Sequence, residues 1–401
     1  MALTDMLERH RKPPRAANLV VFMVDEASVR RASQMLTQSG VTDFHAEVGT
    51  VDDLVEYLER TEQTPARLIV DISGLKDPFK ALDRLADACD PSVTVFAVGD
   101  TNDVTLYRDL LRAGISDYRY KPLTDDALRG WMDEDGDYTI RRGRSGKVVA
   151  MAGARGGIGV STHAVHLARE LSSASASRKV VVVDLDLYGG ASTTLLGMPP
   201  NRGMPEALKS LDALDGPFLE RILTTQDGRL FSLGLNQGLE ASFSPVPGAM
   251  AELLDRLSQH FHYVIVDLPD YGGRVADEVY SRATSIGLLC DSSVHSGRVV
   301  AAMLAHIRAT PEAPPVYVVI NAVRPTSGRV DAEHFGQAIG QPIALSVPYD
   351  GRFAAVAEDL GEPLPAESLL GQCVSRIVKL MTGESIDEGE GSWFQRLLRR
   401  K

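Results

Sequence analysis

The sequence predicts an α/β protein made of two doubly wound domains, each a parallel sheet covered by helices on both faces. Short, almost wholly apolar runs recur along the chain with amphipathic helical patterns between them, and runs of that kind are strands buried on both faces. Several of these runs end in Asp, at the strand edge where open α/β sheets bind ligands. A charged, glycine-bearing stretch without periodicity separates the first three runs from the rest.

In chain order, Met1 to Asn18 carries Arg9, His10, Arg11, Lys12 and Arg15 around Pro13 and Pro14, and reads as a flexible basic leader without a signal-peptide core. Strands are expected at Leu19–Val24, Arg67–Val70 and Val93–Val98, giving a first domain over residues 19–132. The linker is placed at 133–146, where Asp133 to Asp137 is followed by Arg141, Arg142, Gly143 and Arg144. A second domain, 147–383, follows with strands at Lys147–Ala152, Lys179–Val183, Tyr263–Val266, Ile286–Cys290 and Val316–Ile320. Residues 384–401 are an acidic linker and a short amphipathic basic tail.

The 401 residues carry 42 Lys and Arg against 54 Asp and Glu, a formal charge of −12 that disfavours a surface built to grip nucleic acid. Cys89, Cys290 and Cys373 are too scattered for a disulfide framework or a zinc site, and fit a reducing cytoplasm. The longest apolar runs are too short to cross a bilayer.

The strongest local signal is the run Lys147 to Thr162, a strand passing into Gly153-Ala154-Arg155-Gly156-Gly157-Ile158-Gly159-Val160-Ser161-Thr162 and then a helix. Ala164, Leu167, Ala168 and Leu171 give that helix one apolar face. Glycines let the backbone wrap an anion with its N–H groups inward, and the helix N-terminus adds its dipole. Ser161 would ligate Mg²⁺, Asp267 at the end of its strand would hold the metal's hydration shell, and Asp184 stands at the end of another strand. Asp186 could orient the attacking water. A tight strand-to-helix turn without ligand is the alternative.

The order of Arg-Gly-Gly-x-Gly-x-Ser-Thr at Arg155, Asp-x-Asp at Asp184, Asp-x-Pro at Asp267, Val318 to Asn321 and Ser346 to Asp350 resembles the ParA/MinD branch of P-loop ATPases. More narrowly, the altered loop, the Asp184-Leu185-Asp186-Leu187-Tyr188-Gly189-Gly190 segment and the domain order resemble the CpaE/TadZ pilus-assembly proteins. The resemblance implies ATP and Mg²⁺ as cofactors, with Gly156, Gly157, Ile158, Gly159, Val160, Ser161 and Thr162 around the phosphates. It places Asn321 and Pro348 near adenine. Val160 stands where the general P-loop has a lysine, and Arg155 stands where ParA/MinD proteins carry a signature lysine. Binding is therefore expected to survive while hydrolysis is weak or absent, because the transition state loses a point charge. Arg155 can partly compensate, in cis or across a nucleotide-sandwich homodimer.

The first domain resembles a response-regulator receiver. That resemblance maps the metal-binding acids to Asp25 and Glu26, the phosphoacceptor to Asp71 and the stabilising lysine to Lys121. The fourth strand ends Phe96-Ala97-Val98-Gly99-Asp100, where the family's switch hydroxyl is missing, so a docking domain that does not signal is favoured. In the tail, Trp393, Phe394, Leu397 and Leu398 oppose Arg396, Arg399 and Arg400, so Trp393–Lys401 is either a short membrane anchor effective in pairs or a basic tail that docks elsewhere. The expected role is a dimeric, ATP-timed scaffold that recruits pilus or secretion assembly proteins in the bacterial cytoplasm, peripheral to the inner membrane at the cell pole. No specific nucleic acid is expected. A ParA-type partitioning ATPase and a phosphorelay output protein are the alternatives.

Overall fold

In this computed structural model the described residues are 17–61, 65–132, 145–173, 178–186, 190–225, 227–234, 244–269, 272–310, 313–325, 330–352, 355, 359, 365 and 368–382. Most of the basic leader, the linker core 133–144 and the amphipathic tail expected at Trp393–Lys401 lie outside them. The chain divides into two compact units, the first running to Gly146 with Ser175–Arg178 counted in it, the second taking up the chain at Lys147.

The first unit alternates strand and helix throughout: β1 Leu19–Met23, α1 Glu26–Gln38, β2 Phe44–Val48, α2 Val51–Glu59, β3 Arg67–Asp71, α3 Pro78–Ala88, β4 Thr94–Gly99, α4 Val104–Arg112, β5 Asp117–Tyr120 and α5 Asp125–Met132. Its five strands lie in the order β2-β1-β3-β4-β5, all parallel. This is the flavodoxin-like doubly wound order. The β1 sequence Leu-Val-Val-Phe-Met is buried at every position because helices cover both faces. One apolar layer gathers Val20, Phe22, Leu54, Leu68 and Val70; the opposite layer gathers Val21, Met23, Leu36, Phe96 and Trp131.

Helix starts follow local chemistry. Asp25, Thr50, Asp77 and Asp103 each accept a backbone N–H of the following first turn, which satisfies donors that have no partner within the helix. Thr50 and Asp53 complete a reciprocal capping box.

The second unit is built on an eight-stranded sheet. Its elements are β6 Lys147–Gly153, α6 Val160–Ser173, β7 Val180–Asp184, α7 Ala191–Leu195, α8 Met204–Lys209, α9 Gly216–Ile222, β8 Thr224–Thr225, β9 Leu230–Leu233, α10 Ala249–His260, β10 Tyr263–Asp267, α11 Arg274–Arg282, β11 Ser285–Cys290, α12 Val294–Arg308, β12 Val316–Asn321, α13 Ala332–Ile339, β13 Ile343–Val347 and α14 Leu369–Thr382. The order is β13-β12-β11-β6-β10-β7-β9-β8, parallel except for the terminal β8. After β6 the chain moves outward on one side to β7 and β9, returns through β10, and then moves outward on the other side through β11, β12 and β13. The direction of winding thus reverses beside β6, and the carboxyl ends of the strands at such a point are where doubly wound sheets bind ligands.

Strands β2, β5, β8, β9 and β13 are not among the expected runs. β2 is half-buried to exposed along its length and β8 has only two residues, so neither shows the continuous apolar signature of a central strand.

Candidate functional site

The candidate residues of the second unit lie at or just beyond the carboxyl ends of its parallel strands. β6 ends at Gly153, the chain turns through Ala154 to Gly159, and α6 begins at Val160. Gly157 and Gly159 have φ of 69° and 91°, a region that residues with a Cβ rarely enter. A Cβ on Gly153 would sit 2.6 Å from Ile158 Cγ2 and 2.7 Å from Val160 Cγ2, so the loop folds tightly back over the strand end. A Cβ on Gly156 would meet nothing within 4 Å.

β10 pairs with β6 on one side and β7 on the other, with Asp267 directly opposite Asp184 in the register. Both carboxylates are buried, at 3% and 2% exposure. Asp184 accepts the backbone N–H groups of Asp186 at 2.9 Å and Ser192 at 3.1 Å. Asp267 accepts the Ser192 hydroxyl at 3.2 Å and the Ser161 hydroxyl. Burial first, and then the neighbouring Asp184 charge, push the Asp267 carboxyl up to about 7. Burial also raises that of Asp184, against the two N–H donors.

A pair of buried like charges with a serine hydroxyl and no basic partner among these contacts is the donor set a hard divalent cation suits. Ser161, Asp267 and Asp184 therefore fit Mg²⁺. Ser192 was not singled out in the sequence. Nothing local marks it, since it reaches Asp267 across 75 positions.

Arg155 leaves the loop sideways. Its Nε and Nη2 donate to one oxygen of Asp291, at 3.1 and 2.7 Å. The other oxygen of Asp291 accepts the hydroxyls of Ser293 and Ser296, each at 2.6 Å. Burial works against that charge, but the serine hydroxyls and the guanidinium hold the Asp291 carboxyl well below the usual range. Arg155 is thus held by the residue that follows β11 of the same chain. Asp291 is a second group that the sequence reading missed.

Asn321 ends β12 and pairs with Val347, which places Pro348 beside it at the sheet edge. The Asn321 amide is engaged with the loop: its Nδ2 donates to the carbonyl of Ile158 at 2.8 Å. Asp186 follows β7 at the same edge, with its backbone bound to Asp184.

The first unit brings three of its four candidate residues together. Lys121 pairs with Asp71 and, at 3.2 Å, with Asp25. Asp71 also accepts the Val24 N–H at 3.2 Å and the Ser73 hydroxyl at 2.6 Å. Ser28 donors foremost, with help from Lys121, lower the Asp25 carboxyl to about 2. Burial disfavours the Lys121 charge, but Asp71 and Asp25 outweigh it and raise its pKa.

Glu26 departs from the expectation: it turns to the exposed side of α1 and pairs with Arg30 at 2.8 Å, because i to i+4 spacing puts that cation within reach. At the end of β4, the Tyr118 ring fills the space that a side chain on Gly99 would need, with its hydroxyl 2.5 Å from an added Cβ. The phenol instead donates to the Thr101 carbonyl at 2.6 Å. Gly99→Thr is therefore expected to destabilise this unit by about 1 to 3 kcal/mol through overpacking. Denaturant unfolding with an unchanged midpoint would show that Tyr118 yields freely.

Residues 144–213 match a family model described as ParA: NUBPL iron-transfer P-loop NTPase. Among solved structures, a ParA family ATPase from Chlorobium tepidum TLS aligns with a TM-score of 0.52 at 19% identity, covering 58% of this chain and 98% of that one. MinD in the MinC:MinD cell division protein complex of Aquifex aeolicus gives a TM-score of 0.50 at 17% identity, over 60% and 97% of the two chains. A pilus assembly protein CpaE from Caulobacter crescentus is 27% identical over 27% of this chain, with a TM-score of 0.25, a match too short to bear on fold or role. No curated protein matches the chain.

Proposed function

We propose that this chain, whose second unit has the ParA/MinD-type P-loop NTPase fold, is a nucleotide-dependent localisation factor that binds ATP with Mg²⁺ and turns it over slowly. The observation that carries this reading is the convergence of Ser161, Asp184 and Asp267 beside the Gly156–Thr162 loop. Those groups sit where the sheet reverses its winding, and they match the chemistry of a metal-bound polyphosphate.

In this reading the loop amides hold the phosphates, Ser161 and the two carboxylates hold Mg²⁺, and the metal supplies the countercharge for the β- and γ-oxygens. Val160 contributes no charge. Arg155, now on Asp291, is the one cation of the loop, and the phosphates of a nucleotide compete with Asp291 for it. Two copies meeting across the nucleotide would make an ATP-timed scaffold. MinD of Aquifex aeolicus is itself seen in a complex with MinC, so partner recruitment by this fold has a precedent. We further assign the scaffold to pilus or secretion assembly in the bacterial cytoplasm, on the strength of the domain order and the altered loop.

A ParA-type partitioning role is the second reading, favoured by the Chlorobium tepidum neighbour and disfavoured by the charge of −12. The test is thermal unfolding with ATP and Mg²⁺. Nucleotide at a hundred times its Kd should stabilise the protein by about 2.7 kcal/mol. An unmoved melting temperature with ATP and Mg²⁺ at millimolar levels would remove the nucleotide reading. Retardation of DNA at physiological salt would move the assignment to partitioning.

A further inference from the structure

We propose that His163 and Asn321 are positioning residues of the phosphate loop, holding two consecutive loop carbonyls from behind so that the adjoining amides face the phosphates. The inference rests on the nucleotide reading above.

His163 lies one turn into α6. Its Nδ1 is 2.9 Å from the Gly159 carbonyl oxygen, where it adds a second donor to the His163 backbone N–H at 3.0 Å, and Asn321 Nδ2 is 2.8 Å from the Ile158 carbonyl oxygen. A carbonyl only accepts, so the imidazole carries its proton on Nδ1. The Ile158 carbonyl and the Gly159 N–H belong to one planar trans peptide and point in opposite directions, as do the Gly159 carbonyl and the Val160 N–H in the next. Holding each carbonyl therefore fixes the N–H of its own peptide, that of Gly159 and that of Val160, in the opposite direction. Gly159 makes room for both anchors: a Cβ there would stand 2.8 Å from Asn321 Nδ2 and 3.6 Å from His163 Nδ1.

The residue type at 163 is informative. The ring is 2% exposed, and its Nε2 has no hydrogen-bond partner among the described residues. A buried orphan acceptor costs free energy that a leucine would not incur at the same place. Packing alone would thus favour leucine, and what histidine adds there is the Nδ1 donor. Such outside bracing has most to do in this loop because Val160 provides no ammonium group to organise it.

The experiment is calorimetric titration of the full chain with ATP, GTP and inorganic tripolyphosphate, each with Mg²⁺. His163→Leu and Asn321→Ala should each weaken tripolyphosphate and ATP by the same factor, about three- to ten-fold for one lost hydrogen bond. His163→Asn should recover most of the loss, because its amide nitrogen can take the place of Nδ1. The melting temperature of ligand-free His163→Leu should not fall.

Wild-type affinity in His163→Leu would overturn the proposal for histidine. An Asn321→Ala protein that loses ATP but keeps tripolyphosphate at the wild-type affinity would make Asn321 a base contact instead. Failure of the wild type to bind any of the three ligands removes the nucleotide reading and this inference together, whereas wild-type binding with unaffected variants removes this inference alone.

Discussion

Asp267→Asn is expected to make the metal-free protein more stable above neutral pH while weakening its Mg²⁺-dependent nucleotide binding. The carboxyl lies beside Asp184, buried on neighbouring strands, and its folded pKa of about 7 stands above the ordinary 3.8. Between those values the folded protein holds a proton that the unfolded chain has released. Folding stability is therefore fully present below about pH 4 and is lost as pH rises toward 7, by on the order of a few kcal/mol across the coupled pair.

Asparagine removes one of the two charges without orphaning its neighbours. Its carbonyl can still accept from the hydroxyls of Ser192 and Ser161, and its amide can donate to Asp184. The variant should thus melt higher than wild type at pH 8 and show a much flatter pH profile. Mg²⁺ should flatten the wild-type profile too, because a cation replaces the missing proton. A variant less stable than wild type at pH 8, with the same slope, would mean that the carboxylates are not the strained pair described here.

Much of this site was legible in the sequence because its chemistry is carried by chain-local patterns. Val180 to Val183 leads directly into Asp184, and Tyr263 to Val266 into Asp267. Parallel pairing then makes the two acids neighbours, since β10 lies between β6 and β7. Glycines at 157 and 159 announce backbone angles that other residues avoid. In the first unit, apolar strands ending at Asp71 and near Asp25, with Lys121 before Pro122, were readable for the same reason.

What escaped was set by contacts between distant positions. Arg155 meets Asp291 across 136 positions, and Asn321 meets Ile158 across 163, so neither partner could be read from spacing. Asn321 could be placed at a strand end but not on the loop. Glu26 was grouped with Asp25 by the receiver resemblance. The first turn of α1 instead directs them apart, Asp25 to cap the helix and Glu26 to Arg30. Edge strands such as β2 are half wet and give a weak apolar signal.

Val160→Lys should increase affinity for ATP and for tripolyphosphate by about ten-fold or more, the range expected for a charge-assisted hydrogen bond. Val160 is the first residue of α6 and is half-buried, with Cγ2 packed over Gly153. A lysine stem can follow the same apolar path for its first carbons and carry its ammonium onward to the loop opening, as long cationic side chains do elsewhere. There, in the proposed reading, it would meet phosphate oxygens that the wild type would hold through backbone amides, Mg²⁺ and Arg155. Because charge builds on those oxygens as the terminal phosphoryl group departs, the hydrolysis rate should rise together with affinity.

The readout separates two causes of slow turnover. A gain in both binding and hydrolysis would place the deficit in the missing cation. A gain in binding alone would place it in the Asp186 segment or in the Arg155 to Asp291 tether, which Asp291→Asn in the Val160→Lys background would then test. An unchanged affinity for tripolyphosphate would show that residue 160 does not face the phosphates, and the assignment of the loop would fail.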